Sequence, residues 1–199
     1  MTAISLTLLL ALAGRPAHQA PATEQVQPST ASPQALSDQE VAQRVDEYLG
    51  TIDTPITADE WRALGPRAVN RLAAVATDPE ALSSRRGKAL GALTALGGAR
   101  ARQVVLDTAR SEQTPFAVRA SALRGAGHLL DPKSLSKTLS PVLEKARDAP
   151  VRATAAEVLA AHAGASGCSA VRAQVAREPQ ETRGHFARAL ESCGGTGSR

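Results

Sequence analysis

The stretch "DAPVRATAAEVLAAH", residues Asp148–His162, decides the fold of this chain. Ala and Leu dominate it, and these residues have high intrinsic helix propensities. Pro150 is compatible with the first turn of a helix, where the amide hydrogen that proline lacks would have no partner. Asp148 lies just ahead, where a carboxylate can cap exposed amides and favours the positive end of the helix. The stretch therefore predicts a short helix that starts near Asp148 and carries Arg152 on its first turn.

Similar segments occur at nearly constant distances along the chain. Each starts with an arginine, followed by a small residue and then by small or apolar residues at helical spacing. They are "RGKALGAL" from Arg86, "RASALRGA" from Arg119, "RATAAEVL" from Arg152 and "RGHFARAL" from Arg183. The arginines are 33, 33 and 31 residues apart. Two helices per unit at this period predict a stacked α-solenoid, because one helix pair cannot bury its own apolar face.

The helices between these segments complete the predicted all-α fold. Second helices are predicted at Ala101–Arg110, Ser134–Ala146 and Ser169–Arg177. We expect Pro141 to interrupt and kink the middle one, since proline cannot donate the helical hydrogen bond. Upstream, "SDQE" from Ser37 and "TADE" from Thr57 are capping boxes, which predict two further helix starts. Aromatic residues make up only 2% of the chain, which favours closely packed helices over a sheet.

These units resemble HEAT repeats, in particular the short type with a D-x-x-V-R-x-x-A start, which Asp148–Ala155 matches. "WRALGPRAVNRLAAVATD" (Trp61–Asp78) is similar to the helix turn and second helix of such a unit. The resemblance covers about Ala58 to Cys193. It implies a right-handed α-solenoid of about four HEAT-like helix pairs with an N-terminal helix. The family includes scaffolds, transport receptors, bilin lyases and DNA-repair enzymes, so the resemblance predicts an architecture rather than one function.

The resemblance also implies a role for the repeated arginines. HEAT-like repeats stack such side chains against aspartates or carbonyls of the adjoining unit. We therefore expect an inter-repeat structural role for a set of five residues, with ligand binding by the arginines as the alternative. The set is Arg86, Arg119, Arg152, Arg183 and Asp148.

The two cysteines are related by the predicted helix hairpin at the end of the repeats. Cys168 opens the last second-type helix and Cys193 closes the helix after it, so the midpoint between them falls in the turn "EPQET", Glu178–Thr182. Positions equidistant from the turn of an antiparallel hairpin face each other. Cys168 and Cys193 are therefore predicted to form a disulfide in an oxidising compartment. Two unpaired buried thiols in a cytosolic protein are the alternative.

The sequence before the repeats predicts export. Residues 1–20 are typical of a signal peptide, because "ISLTLLLALA" (Ile4–Ala13) is apolar, too short to span a bilayer and followed by small residues. No basic residue precedes this run, so the signal is atypical. We expect a periplasmic or secreted protein, or a cytoplasmic one if the run is instead a core helix. Residues 21–36 are predicted to be a disordered linker, residues 37–195 the repeat domain and residues 196–199 a flexible tail.

The charge distribution bears on possible partners. Seven acidic residues and one basic residue lie between Asp38 and Glu60, whereas Arg85 to Arg199 contain eighteen Lys and Arg against nine Asp and Glu. A basic body favours acidic partners. Four basic residues recur every 35 positions near the predicted starts of second-type helices and could bind a polyanion, although 23 Lys and Arg also permit such spacing by chance. They are Arg67, Arg102, Lys137 and Arg172.

No motif for catalysis, metal or cofactor binding is recognisable in the sequence. His128 and His162 end first-type helices, where a cation suits the negative pole, and zinc-type ligand spacing is lacking. The function predicted from the sequence is an exported, non-enzymatic scaffold for protein–protein interaction. Binding of a polyanion or nucleic acid through a basic concave face is the alternative, and scarce aromatic residues count against it. A chromophore lyase is a third class, for which the sequence offers no dedicated residue.

Overall fold

The computed structural model describes residues 36–52 and 54–194. All regular secondary structure in these two ranges is helical, which confirms the predicted all-α fold class. The predicted signal peptide, the linker before Leu36 and the tail at residues 196–199 lie outside the described residues. The α-helices are α1 (Asp38–Gly50), α2 (Ala58–Ala63), α3 (Ala68–Thr77), α4 (Ser83–Leu96), α5 (Gly98–Arg110), α6 (Phe116–Leu129), α7 (Pro132–Lys145), α8 (Ala149–His162), α9 (Gly164–Arg177) and α10 (Ala187–Gly194), with a short 3-10 helix at Arg183–Phe186.

Both predicted capping boxes are present. The amide and hydroxyl groups of Ser37 donate to Glu40 Oε2, each at 2.7 Å, and the Glu40 amide donates back to Ser37 Oγ at 3.3 Å. Thr57 and Glu60 make the same reciprocal contacts at the start of α2. Each box satisfies amides that the first turn of a helix leaves without intrahelical partners.

Asp148 occupies the N-cap position of α8, but its carboxylate accepts no hydrogen bond from the helix amides. Its backbone carbonyl instead accepts from the amides of Val151 and Arg152, both at 3.1 Å. The predicted side-chain cap is therefore wrong. The reason is the position of Pro150, which removes one of the two amides that an N-cap carboxylate normally binds, while the other belongs to Val151.

Asp131 provides the cap that Asp148 does not. Its Oδ1 accepts from the amides of Lys133 and Ser134, both at 3.0 Å, because Pro132 lies one residue earlier in its helix than Pro150 does in α8. Pro141 lies inside α7, which continues to Lys145, so the predicted interruption is wrong. Packing outweighs the lost backbone bond, since apolar side chains on both sides of the proline are buried. They are Leu135, Leu139, Val142 and Leu143.

The helices pack in two rows. In the first row α2 contacts α4, α4 contacts α6, α6 contacts α8, and α8 contacts α10. In the second row α1 contacts α3, α3 contacts α5, and α7 contacts α9, whereas α5 and α7 lack comparable packing. The rows pack on each other through α3–α4, α5–α6, α7–α8 and α9–α10. The first row is therefore continuous, and the second is open between α5 and α7.

Small residues permit this packing. A Cβ atom on Gly167 would collide with the backbone carbonyl of Leu159, so α8 and α9 approach closely at a position where α9 has no side chain. A Cβ atom on Gly125 of α6 would lie 2.5 Å from Thr94 Oγ1 of α4. The core is built largely of Ala, Leu and Val, with Phe186 fully buried near its C-terminal end. None of the helices in the described ranges is long and apolar enough to cross a membrane.

Candidate functional site

The repeated arginines join the two rows of helices. Arg86, on the first turn of α4, donates through Nε to the carbonyl of Ala76 in α3 at 3.1 Å. Arg119, on the first turn of α6, donates through Nε to the carbonyl of Ala109 in α5 at 2.9 Å. Both carbonyls lie in the last turn of a helix, where carbonyls lack amide partners and a positive charge is favoured. Each arginine therefore fixes the start of one helix to the end of the preceding one.

The last two arginines repeat this contact. Arg152 of α8 donates to the carbonyl of Ala146 at the end of α7, at 2.7 Å, and to that of Arg147 at 2.9 Å. Arg183 donates through Nε to the carbonyl of Glu178 at the end of α9, at 2.9 Å. All four arginines are thus engaged with helix-end carbonyls. The Arg119 side chain, which is 3% exposed, is not available to a ligand in this arrangement.

Glu178 is the centre of a buried polar cluster between α8 and α9. Its carboxylate accepts from Arg152 Nε at 2.6 Å and Nη2 at 2.7 Å, from Gln174 Nε2 at 2.7 Å and from Thr182 Oγ1 at 2.9 Å. The Arg152 guanidinium, aided by the other two donors, lowers the pKa of Glu178 to about 2. The Glu178 side chain is 1% exposed, so its charge is stabilised by these partners rather than by water.

A disulfide links Cys168 of α9 to Cys193 of α10, with 5.4 Å between the two Cα atoms. The predicted pair is therefore present. One detail of the prediction is wrong, because α9 begins at Gly164 rather than at Ser169, which places Cys168 on the second turn of α9. Pairing depends on the position of the turn and not on where the helix begins, so the earlier start does not separate the cysteines.

The four equally spaced basic residues do not occupy equivalent positions. Arg67 precedes α3 and forms an ion pair with Asp38 at 3.5 Å. Arg102 and Lys137 are exposed on the first halves of α5 and α7. Arg172 lies in the second half of α9 and donates to the carbonyl of Cys193 at 3.1 Å. The prediction that all four lie near helix starts is wrong for Arg172, and Arg67 and Arg172 both have partners within the chain.

Lys137 instead belongs to a cleft at the opening in the second row, with a volume of about 750 Å³. Its walls are the end of α5, the start of α6, and α7 with the residues after it. Its apolar lining consists of exposed Pro141 and the nearly buried Val142 and Ala146, and Ser134 and Thr138 add hydroxyl groups. The cleft is also lined by five cations and one carboxylate, which are Arg110, Arg119, Lys137, Lys145, Arg147 and Glu112. We call this site the basic cleft.

The carboxylate in the basic cleft is already engaged. Glu112 pairs with Arg119 at 2.7 Å, and this guanidinium, together with the amide and charge of Arg147, lowers the pKa of Glu112. Within the described part of the chain, the side chains of Arg110, Lys137, Lys145 and Arg147 form no ion pair. The cleft therefore carries an excess of uncompensated positive charge.

Local sequence explains why the second row opens at this point. Glycines with positive φ link α4 to α5, at Gly97 and Gly98, and α8 to α9, at Gly164. The link from α6 to α7 has two extended residues, Leu130 and Asp131, in place of a glycine turn. Extended residues advance the chain by about 3.3 Å each, which moves α7 away from the end of α6.

Sequence reasoning found Lys137 but missed Arg110, Lys145 and Arg147. A signal for two of them was available, since Arg110 and Lys145 are the last residues of α5 and α7. They are 35 residues apart, which is also the spacing of the four basic residues predicted from the sequence. The spacing does not predict the opening between α5 and α7. Without that opening, basic residues at two helix ends would be ordinary surface residues.

The two histidines at helix ends are neighbours. The rings of His128 in α6 and His162 in α8 meet edge to face, with centroids 5.0 Å apart. Burial, with a smaller effect from the charge of His128, lowers the pKa of His162. In residues 36–52 and 54–194, no group of three His, Cys, Asp or Glu side chains is arranged to hold a metal ion. The pair is therefore best described as a packing contact between α6 and α8.

Known proteins do not extend this description, since no family model matches the chain and a search of the curated proteins finds no similar sequence. The function is therefore inferred from the geometry of the framework and of the basic cleft.

Proposed function

We propose that this protein is an exported, non-enzymatic scaffold that binds another protein. In this proposal the two rows of helices are a right-handed α-solenoid of about four HEAT-like helix pairs. The observation that carries it is the basic cleft, a concave site in which Arg119 fixes the wall formed by α5 and α6 and the other four cations form no ion pair within the described chain. A rigid framework with an open charged surface is suited to binding, since ordering the site costs little when the partner arrives.

Export is supported by the disulfide, because such bonds persist in oxidising compartments. The apolar run at Ile4–Ala13 supports the same location. A periplasmic or secreted scaffold would meet partners outside the cytoplasm, where nucleic acid is scarce. The four equally spaced basic residues give less support to polyanion binding, since Arg67 and Arg172 have partners within the chain.

The test is site-specific photo-cross-linking in native cells, with full-length protein carrying benzoylphenylalanine at Thr138 in the cleft or at exposed Ala173 on α9 as the control. We expect a discrete protein adduct at Thr138, none at Ala173, and a bonded pair of cysteines in the processed, exported chain. Cytosolic, unprocessed protein with free thiols would overturn the export proposal. Irradiation that gives no protein adduct at Thr138 would overturn the scaffold proposal.

A further inference from the structure

We propose that the basic cleft binds an extended acidic segment of a partner protein, in which carboxylate side chains flank at least one apolar side chain. This inference rests on the proposed scaffold function and specifies the partner. Its basis is that cations without an ion pair, an apolar surface and an opening between helices coincide in this cleft.

The positive charge of the basic cleft favours a bound segment that carries carboxylate side chains. The cations lie on different parts of the lining, with Arg110 at the end of α5, Lys137 in the first half of α7, Lys145 as the last residue of α7 and Arg147 two residues further on. Glu112 does not neutralise them, because it is engaged by Arg119. A concave site lined by charge of one sign focuses its field and raises the local concentration of the opposite charge. Hydrogen bonds from arginine and lysine to carboxylates are stronger than neutral ones.

The position of Lys137 distinguishes binding of an acidic ligand from mere stabilisation of helix C-termini by cations. Arg110 and Lys145 end their helices, where any cation is stabilised by the negative pole without a ligand. Lys137 lies mid-helix and gains nothing from that pole, yet it is exposed within the same cleft. A ligand with several carboxylates accounts for all three positions together.

Shape and surface favour a peptide over a nucleic acid. The volume of about 750 Å³ lies in the usual range for ligand sites and holds a few residues of extended chain. Proteins that bind single strands stack bases on aromatic side chains, and among the described residues no Phe, Tyr, Trp or His lines this cleft. Exposed Pro141, bordered by the nearly buried Val142 and Ala146, offers instead an apolar surface between the cations, where an aliphatic side chain can be desolvated.

The walls of the cleft are held in place before any ligand binds. Arg119 ties the end of α5 to the start of α6 through Ala109, and it also binds Glu112. The Arg119 contacts fix the wall on which Arg110 lies, and α7, which carries Lys137 and Lys145, is held on the other side by its packing on α8 and α9.

The test uses fluorescence polarisation with purified full-length protein and a labelled synthetic dodecapeptide of Glu, Asp and Leu. A matched peptide with Gln and Asn in place of Glu and Asp measures the contribution of charge. The cleft variant is Arg110→Ala/Lys137→Ala/Lys145→Ala. The control variant, Arg100→Ala/Arg177→Ala/Arg188→Ala, removes the same charge from exposed positions outside the cleft lining. Circular dichroism and melting curves establish that both variants fold.

We expect the acidic peptide to bind the unmodified protein, with affinity that falls as salt rises. Binding should weaken about tenfold or more in the cleft variant and less than about twofold in the control variant. The neutral peptide should bind at least about tenfold more weakly than the acidic one. A single reversal, Lys137→Glu, should weaken acidic-peptide binding on its own.

Four results would each overturn the inference. They are no binding of the acidic peptide, equal binding of the neutral peptide, equal losses in both triple variants, and tighter binding of heparin or a twelve-nucleotide single strand through the cleft. If any of them occurs while Thr138 still gives a protein adduct in cells, the scaffold proposal stands and its partner is not an acidic segment. Absence of the adduct together with peptide binding would instead remove the scaffold role and leave the site.

Discussion

Replacing Glu178 by glutamine is expected to lower the free energy of unfolding at pH 7 by roughly 3 kcal/mol. The pKa of Glu178 is about 2, against an ordinary value of 4.5, and a difference of this size corresponds to roughly 3 kcal/mol in favour of the folded state. Glutamine keeps the shape of the side chain but removes the carboxylate paired with the Arg152 guanidinium, whose side chain is only 14% exposed. The control is Glu181→Gln at an exposed position in the same turn, expected to change stability by less than about 0.5 kcal/mol.

The dependence on pH is the sharper part of this prediction. Because the folded-state pKa is depressed, the stabilising effect is complete above the unfolded-state value near 4.5 and is lost as pH falls towards 2. The gap between the unmodified protein and Glu178→Gln should therefore be largest at pH 7 and narrow between pH 4.5 and 2.5. Urea unfolding followed by circular dichroism, with the disulfide intact, measures the gap at each pH. A gap below about 1 kcal/mol at pH 7, or one that stays constant with pH, would refute the role assigned to Glu178.

Three further perturbations test the framework. Removal of the disulfide by Cys168→Ser/Cys193→Ser should lower the free energy of unfolding by about 3 kcal/mol and abolish the effect of reductant on the melting temperature. A variant that melts at the same temperature as the unmodified protein would contradict this. Gly167→Ala should destabilise the protein by about 1–3 kcal/mol, because the new Cβ would meet a backbone carbonyl of α8. Gly91→Ala, on an exposed face of α4, should instead stabilise it by about 0.5–1 kcal/mol. Thermal melts that rank the two variants the other way would count against the described packing. Arg119→Lys should cost about 1–3 kcal/mol in urea unfolding, since a single ammonium nitrogen does not reproduce the planar fork with which the guanidinium reaches the Ala109 carbonyl and Glu112 through different nitrogens. A loss under about 0.5 kcal/mol would show that these contacts contribute little.

Periodic features of this fold could be predicted from the sequence, because each is specified locally and then repeated. The arginines of the four segments recur near the helix starts, so their contacts with helix-end carbonyls follow from one unit once its pattern is known. The pairing of Cys168 with Cys193 required only the position of a turn. An error of five residues in the start of α9 therefore did not affect it.

Other features depended on competition between residues. The carboxylate of Asp148 lost its expected role because Pro150, which helps to start the helix, also removes an amide that would bind it. Pro141 was expected to interrupt α7, but burial of the leucines beside it keeps the helix intact. In both cases the preference of one residue for a local structure is outweighed by the residues beside it.

The basic cleft could not be predicted from one unit, because it arises where a unit departs from the others. The glycine turns before α5 and α9 keep the two helices of their units in contact, whereas Leu130 and Asp131 separate α7 from α6. The first row does not open with the second, because α6 and α8 remain packed together. Arg119 holds the end of α5 and Glu112 against the start of α6, which fixes one wall of the opening, and α7 is held on the other side by its packing on α8 and α9. A perfectly regular array would have closed this space, and the cations at the helix ends would then have been ordinary surface charges.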